Sequence, residues 1–271
     1  MNILLKRIGA IYLVAILGFG FSSVLYAKDI KKLSVGGLTL GMTPVQVKKI
    51  LQASSRKYLL QEKVLIVNGH RFVAKTTTFL RDPKVTRRLG MGVIDRISVH
   101  YAPPPSKQRA LLIIRERKFG KYEFIPPKRL MSAIIRKYGK SDFKEFPNKG
   151  LNYIQRYYWK LGRKHVWQCR RMADYYKTDR QYIFQDRTSL GTFFTGRFSC
   201  PVFLSVKKID GLNYVKQRRG IKDFDHVNQM NSVLIDYKKV VKTGALLSAE
   251  TRKRQQQRMK KDARKRVPVD L

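Results

Sequence analysis

The sequence predicts an α+β fold: antiparallel sheet packed by short helices, with a basic helical tail at the C-terminal end. Three observations predict it. Segments of helical spacing and segments of period-two spacing occur in the order helix, strands, helix, strands, the order of antiparallel sheet and not of alternating βαβ units. The chain of 271 residues is 43% hydrophobic and 11% aromatic, enough for a core despite a formal charge of +40. From Ser248 to Arg266 the composition changes to nine basic residues against two acidic ones, with Met259 the one large apolar side chain. That tail has helix formers but no apolar stripe, so it reads as solvated, or as an arm for nucleic acid or a membrane surface.

The first helix is predicted over Pro44–Gln52, behind Gly36-Gly37-Leu38-Thr39-Leu40-Gly41-Met42. Thr43 is the N-cap, Pro44 suits the first helical position, and Gln46 completes a capping box. Met42 and Val47 stand where a hydrophobic staple forms. Strands follow at Val64–Val67, Arg71–Leu80 and Gly92–Tyr101, the last with Val93, Ile97, Val99 and Tyr101 on one face. Pro103-Pro104-Pro105 ends it, because proline cannot donate to a ladder, and Arg109–Lys118 is the next strand. Pro126-Pro127 opens the second helix, which places Leu130, Met131, Ile134, Ile135 and Tyr138 on one face and stops at Gly139. Further strands are expected at Tyr153–Leu161, His165–Cys169, Gln181–Phe184, Leu190–Phe198, Val202–Lys207 and Asn231–Tyr237. The body, 28–247, divides by pattern into two weakly similar halves, 34–124 and 125–247, followed by the tail, 248–271.

Export is predicted by the first residues. Lys6 and Arg7 precede an apolar run from Ile8 to Phe21, with cleavage expected after Ala27 or, alternatively, after Ser22. The competing reading is an uncleaved anchor, since Ile8–Ala27 has about the length that spans a bilayer. A bacterial periplasmic location follows from the signal, with secretion or anchoring as alternatives. The two cysteines, Cys169 and Cys200, form an even set in an oxidising compartment and are expected to make one disulfide.

The stretch Gly37-Leu38-Thr39-Leu40-Gly41-Met42-Thr43-Pro44-Val45-Gln46-Val47 resembles the helix-opening element of small exported bacterial proteins of the β-lactamase inhibitory protein type and the small outer-membrane-assembly lipoprotein type. The Lys137-Tyr138-Gly139-Lys140 helix end, followed by aromatic strands, is similar to uncharacterised periplasmic proteins. The resemblance implies export and a short helix packed on antiparallel sheet. It rests on turn and cap residues, so it carries over no functional residue, and the chain lacks the lipidated cysteine of the lipoprotein type.

No catalytic spacing accompanies this. His-Glu-x-x-His, Gly-x-Ser-x-Gly and Cys-x-x-Cys do not occur, and nothing implies a cofactor or a metal. His70, His100, His165 and His226 are scattered, and Asp223-Asp225-His226 reads as a turn before it reads as a catalytic cluster. Removing two basic residues before Lys28, +7 over Ser248–Arg266 and −1 at Asp270 leaves +32 on Lys28–Leu247, so the body itself is basic. The anion-binding residues expected from the clusters are Arg115, Arg117, Lys118, Arg170, Arg171, Arg218 and Arg219. Tyr153, Tyr157, Tyr158, Trp159, Trp167, Tyr175, Tyr176 and Tyr182 are interleaved with basic residues, as stacking platforms or as sheet core.

The expected function is a non-enzymatic envelope protein that binds an anionic envelope component or an acidic protein surface. A membrane surface or nucleic acid is the further partner considered. The alternatives are a secreted basic hydrolase of the nuclease kind, with a histidine or Asp225 as base, and a periplasmic interaction or inhibitor module.

Overall fold

The structure, a computed structural model, describes residues 33–54, 58–80, 94–119, 125–145, 154–159, 169–170, 202–212 and 224–265. The elements are α1 (Pro44–Ser54), β1 (Tyr58–Val67), β2 (His70–Leu80), β3 (Ile94–Tyr101), β4 (Ala110–Lys118), α2 (Pro127–Tyr138), β5 (Phe143–Glu145), β6 (Ile154–Trp159), β7 (Val202–Leu212), β8 (Phe224–Asp236) and α3 (Tyr237–Lys265). The fold is α+β. One eight-stranded antiparallel sheet has the order β1-β2-β3-β4-β8-β7-β6-β5. A helix and four strands thus occur twice in succession, and the two sets meet where β4 pairs with β8, from Leu112↔Ile235 to Lys118↔Gln229.

Local chemistry makes α1 as its sequence implies. The Thr43 N–H donates to Gln46 Oε1 at 2.9 Å and the Gln46 N–H donates to Thr43 Oγ1 at 3.2 Å, the reciprocal capping box. Met42 and Val47 join the same core cluster. Gly36 has φ 60°, which favours glycine, and a Cβ there would displace the end of the Ile97 side chain, whose Cδ1 would lie 2.6 Å away. The Gly41 N–H donates to the Ala110 carbonyl at 2.8 Å and the Ala110 N–H donates to the Met42 carbonyl at 2.8 Å, which ties the helix-opening turn to the start of β4.

The sheet has two distinct faces because its side chains alternate. Val99, Ile113, Leu234, Leu204 and Trp159 are register partners in one row across β3, β4, β8, β7 and β6, and all are buried under α1 and α2. Each fully buried aliphatic side chain in that row contributes about 1.5–3 kcal/mol of transfer free energy. Their sequence neighbours Leu112, Ile235 and Phe203 point to the other face, where Tyr237 and Val240 of α3 cover them. α2 is placed by Ile134 and Tyr138: the Tyr138 hydroxyl donates to the Ser34 carbonyl at 2.7 Å, and the Trp159 indole N–H donates to the Gly139 carbonyl at 3.0 Å.

Several expectations are corrected. Ile135 is exposed, because the 100° step from Ile134 carries it past the edge of the buried stripe. β1 starts at Tyr58 and not Val64; its polar middle, Gln61–Lys63, is exposed at the sheet edge, where strand identity comes from pairing with β2 and not from an apolar pattern. Asn68-Gly69 joins these two strands with φ of 54° and 81°, the positive values that a two-residue hairpin turn requires. Cys169 is helical, although its segment reads as a strand. Tyr237 starts α3 instead of ending a strand: the Lys239 N–H donates to Asp236 Oδ1 at 3.0 Å, which caps a helix running to Lys265. Residues 248–265 of the tail are therefore the second half of a longer helix. The strands expected at Gln181–Phe184 and Leu190–Phe198 lie outside the described residues.

Candidate anion-binding surfaces

β4 carries three of the expected anion-binding residues, and their surroundings differ. Arg115 is committed inside the protein: its Nε and Nη2 donate to Asp95 Oδ1 and Oδ2 at 3.0 and 2.8 Å, a bidentate pair across β3 and β4. Arg117, half-buried two residues on, lies over the Phe119 ring at 4.9 Å, and Lys118, also half-buried, ends the strand. Arg170 pairs with Glu145 at 2.9 Å, and Arg156, itself buried, stands 4.0 Å from the same carboxylate. These arginines hold elements together as much as they present charge. Arg171, Arg218 and Arg219 lie outside the described residues, as does Cys200; Cys169 is buried in the core.

α3 presents charge differently. Arg254 is its anchor: the guanidinium donates to the Asn68 carbonyl in the β1–β2 turn, lies 3.4 Å from His70 Nε2, and pairs with Glu250 at 3.0 Å. Beyond it, every residue from Gln255 to Asp262 is exposed. Arg254, Arg258 and Lys261 recur at i, i+4 and i+7, so beyond the Arg254 anchor the exposed turns carry Arg258, Lys260 and Lys261 as a basic stripe, with Asp262 four residues from Arg258 offsetting part of the charge. Like charges so spaced destabilise a helix by about 0.2–0.5 kcal/mol per pair.

The aromatic platform does not form where it is described, because Tyr157, Tyr158 and Trp159 are all buried in the sheet cores. Burial pushes the Tyr157 and Tyr138 phenols up to about 12. Deeper in the α2 face, Lys208 Nζ lies 2.6 Å from Asp210 Oδ2, with both side chains almost fully buried. Burial drives the Asp210 carboxyl upward and the ammonium pulls it back.

Of the histidines, His70 is exposed, His100 is buried and His226 is half-buried. His100 is opposite Leu112, itself opposite Ile235, nine residues along β8 from His226. At the rise of a strand that is a separation of about 30 Å. Among the described residues no group of three or more His, Cys, Asp or Glu is placed to hold a metal, and no helix is long and apolar enough to cross a membrane. No family model, curated protein or solved structure matches the chain.

Sequence reasoning takes the charge of the tail as a property of composition. The anchoring of Arg254 on Asn68 and His70 is a long-range contact, and only the Arg-x-Gln-x-Arg helical spacing hints at its stripe.

Proposed function

We propose that this protein is an exported, basic envelope protein that binds polyanionic surfaces, chiefly anionic lipid headgroups, through the exposed half of α3. The observation that carries this reading is the basic stripe beyond Arg254, exposed from Gln255 to Asp262 and backed by a body that is itself strongly basic. Residues near an anionic membrane contribute about 1 kcal/mol per Lys or Arg, and the attraction decays over a Debye length of about 8 Å at physiological salt. An extended helical arm brings its charges within that range while the body stays outside it. Sedimentation with phosphatidylglycerol-containing vesicles tests the reading: binding falls steeply as salt rises and is lost on neutral phosphatidylcholine vesicles. Binding indifferent to salt or to lipid charge overturns it.

A further inference from the structure

A groove of about 430 Å³ lies between the β3–β4 connection and the first turns of α3, within the range of about 300–1,000 Å³ typical of small-molecule sites. Its floor is apolar, made by the buried Ala102 just past β3, by the buried Ala110 and Leu111 of β4, and by Leu246 of α3, which at 43% exposure supplies most of the apolar surface. Its rim is basic, with Lys107 and Arg109 from the connection and Lys239 and Lys242 from the helix. The helix contributes a single face, since Lys239, Lys242, Thr243 and Leu246 are spaced i, i+3, i+4 and i+7. The connection holds its shape through the Ala102 N–H to the Arg109 carbonyl at 3.0 Å and the Ser106 N–H to the Pro103 carbonyl at 3.1 Å. Asp236, 3.0 Å from Lys239 Nζ, offsets part of the rim charge, and Arg109 Nη1 donates to the Gly41 carbonyl at 3.4 Å. Four cations over a hydrocarbon floor match neither a bare ion nor a neutral chain.

We infer that this groove binds a monoacyl amphiphile with an anionic head, the chain along Leu246 over the Ala110–Leu111 floor and the head between Lys107 and Lys242. The inference rests on the anionic-partner reading for the sign of its ligand, but on residues separate from the arm. Leu246 lies eight residues before Arg254, about 12 Å along the helix.

The test is calorimetric titration with dodecyl phosphate below its micelle concentration, against dodecyl maltoside and inorganic phosphate. Dodecyl phosphate binds saturably, and either control binds at least about tenfold more weakly. Leu246→Gln and Lys242→Glu, both at exposed positions that folding tolerates, each weaken dodecyl phosphate by about tenfold, while circular dichroism and vesicle binding by the arm are unchanged. Equal binding of phosphate or of the maltoside, or indifference to both variants, overturns the inference. Loss of vesicle binding with amphiphile binding intact would instead remove the function proposed for the arm.

Discussion

Truncation after Arg254 separates an arm that binds from a surface that is merely basic everywhere. The deletion keeps the Arg254 anchor on the β1–β2 turn and removes Arg258, Lys260, Lys261, Arg264, Lys265 and Arg266 together with Asp262 and Asp270, a net loss of four positive charges. Four charges are a tenth of the chain's +40. If binding followed total charge, so small a fraction would change it little. For charges carried on an arm near the surface, at about 1 kcal/mol each, the loss is about 4 kcal/mol, or close to a thousandfold in affinity. The arm also has the reach this requires: the eleven residues from Gln255 to Lys265 extend about 16 Å past the anchor, about two Debye lengths at physiological salt. Vesicle sedimentation at fixed anionic lipid content measures the change, and urea unfolding checks that the body is intact, as the exposure of Gln255–Asp262 leads one to expect. A fall in affinity of less than about threefold, with the fold unchanged, would refute the reasoning and assign binding to the body.

The remaining predictions concern stability. Lys208→Met leaves the Asp210 carboxylate buried without its ammonium and costs about 3–5 kcal/mol in urea unfolding, whereas Lys208→Met with Asp210→Leu recovers most of it; a cost below about 1 kcal/mol for the single change would mean that the pair is solvated. Thr43→Ala removes the Oγ1 acceptor of the Gln46 N–H and destabilises by about 1 kcal/mol, while Thr43→Ser is close to neutral; equal losses for the two would exclude the cap as the cause. Alkali should weaken the fold from about pH 10. Tyr138 and Tyr157 have folded pKa values raised to about 12 from 10.0, so between these values the unfolded chain releases protons that the folded chain keeps, and stability present below pH 10 is lost as pH rises toward 12. Ultraviolet titration of phenolate in the folded protein, compared with Tyr157→Phe, reads this directly; all tyrosines ionising together near pH 10 would contradict it.

Local chemistry was readable wherever neighbours in sequence are neighbours in space. Thr43, Pro44, Gln46 and the Met42–Val47 staple lie within one helical turn, so their pattern determines α1 without help from the rest of the chain. Gly139 at φ 79° ends α2 for the same reason. Asn68-Gly69 is an equally local hairpin signal, one that the expected strands Val64–Val67 and Arg71–Leu80 left unused although it joins them. The alternation of Val99, Ile113 and Leu204 declares strands, though not which strands meet.

By itself, then, the sequence determined α1, α2 and most of the described strands, the helix-strand order that makes the protein α+β, and the excess of positive charge, because each depends on side-chain identity and short-range spacing. Tertiary structure alone decided that β4 pairs with β8 to join the eight described strands, whereas the Asp236 cap that starts α3 at Tyr237 is a local contact that the expected strand over Asn231–Tyr237 passed over. It also decided which cations are spent. Arg115 lies against Asp95 and Arg170 against Glu145, while Lys107 and Lys242, far apart in sequence, come to border one apolar groove. Composition counts all these charges alike. Their availability to a ligand depends on burial and on partners brought from distant strands, which no local pattern encodes.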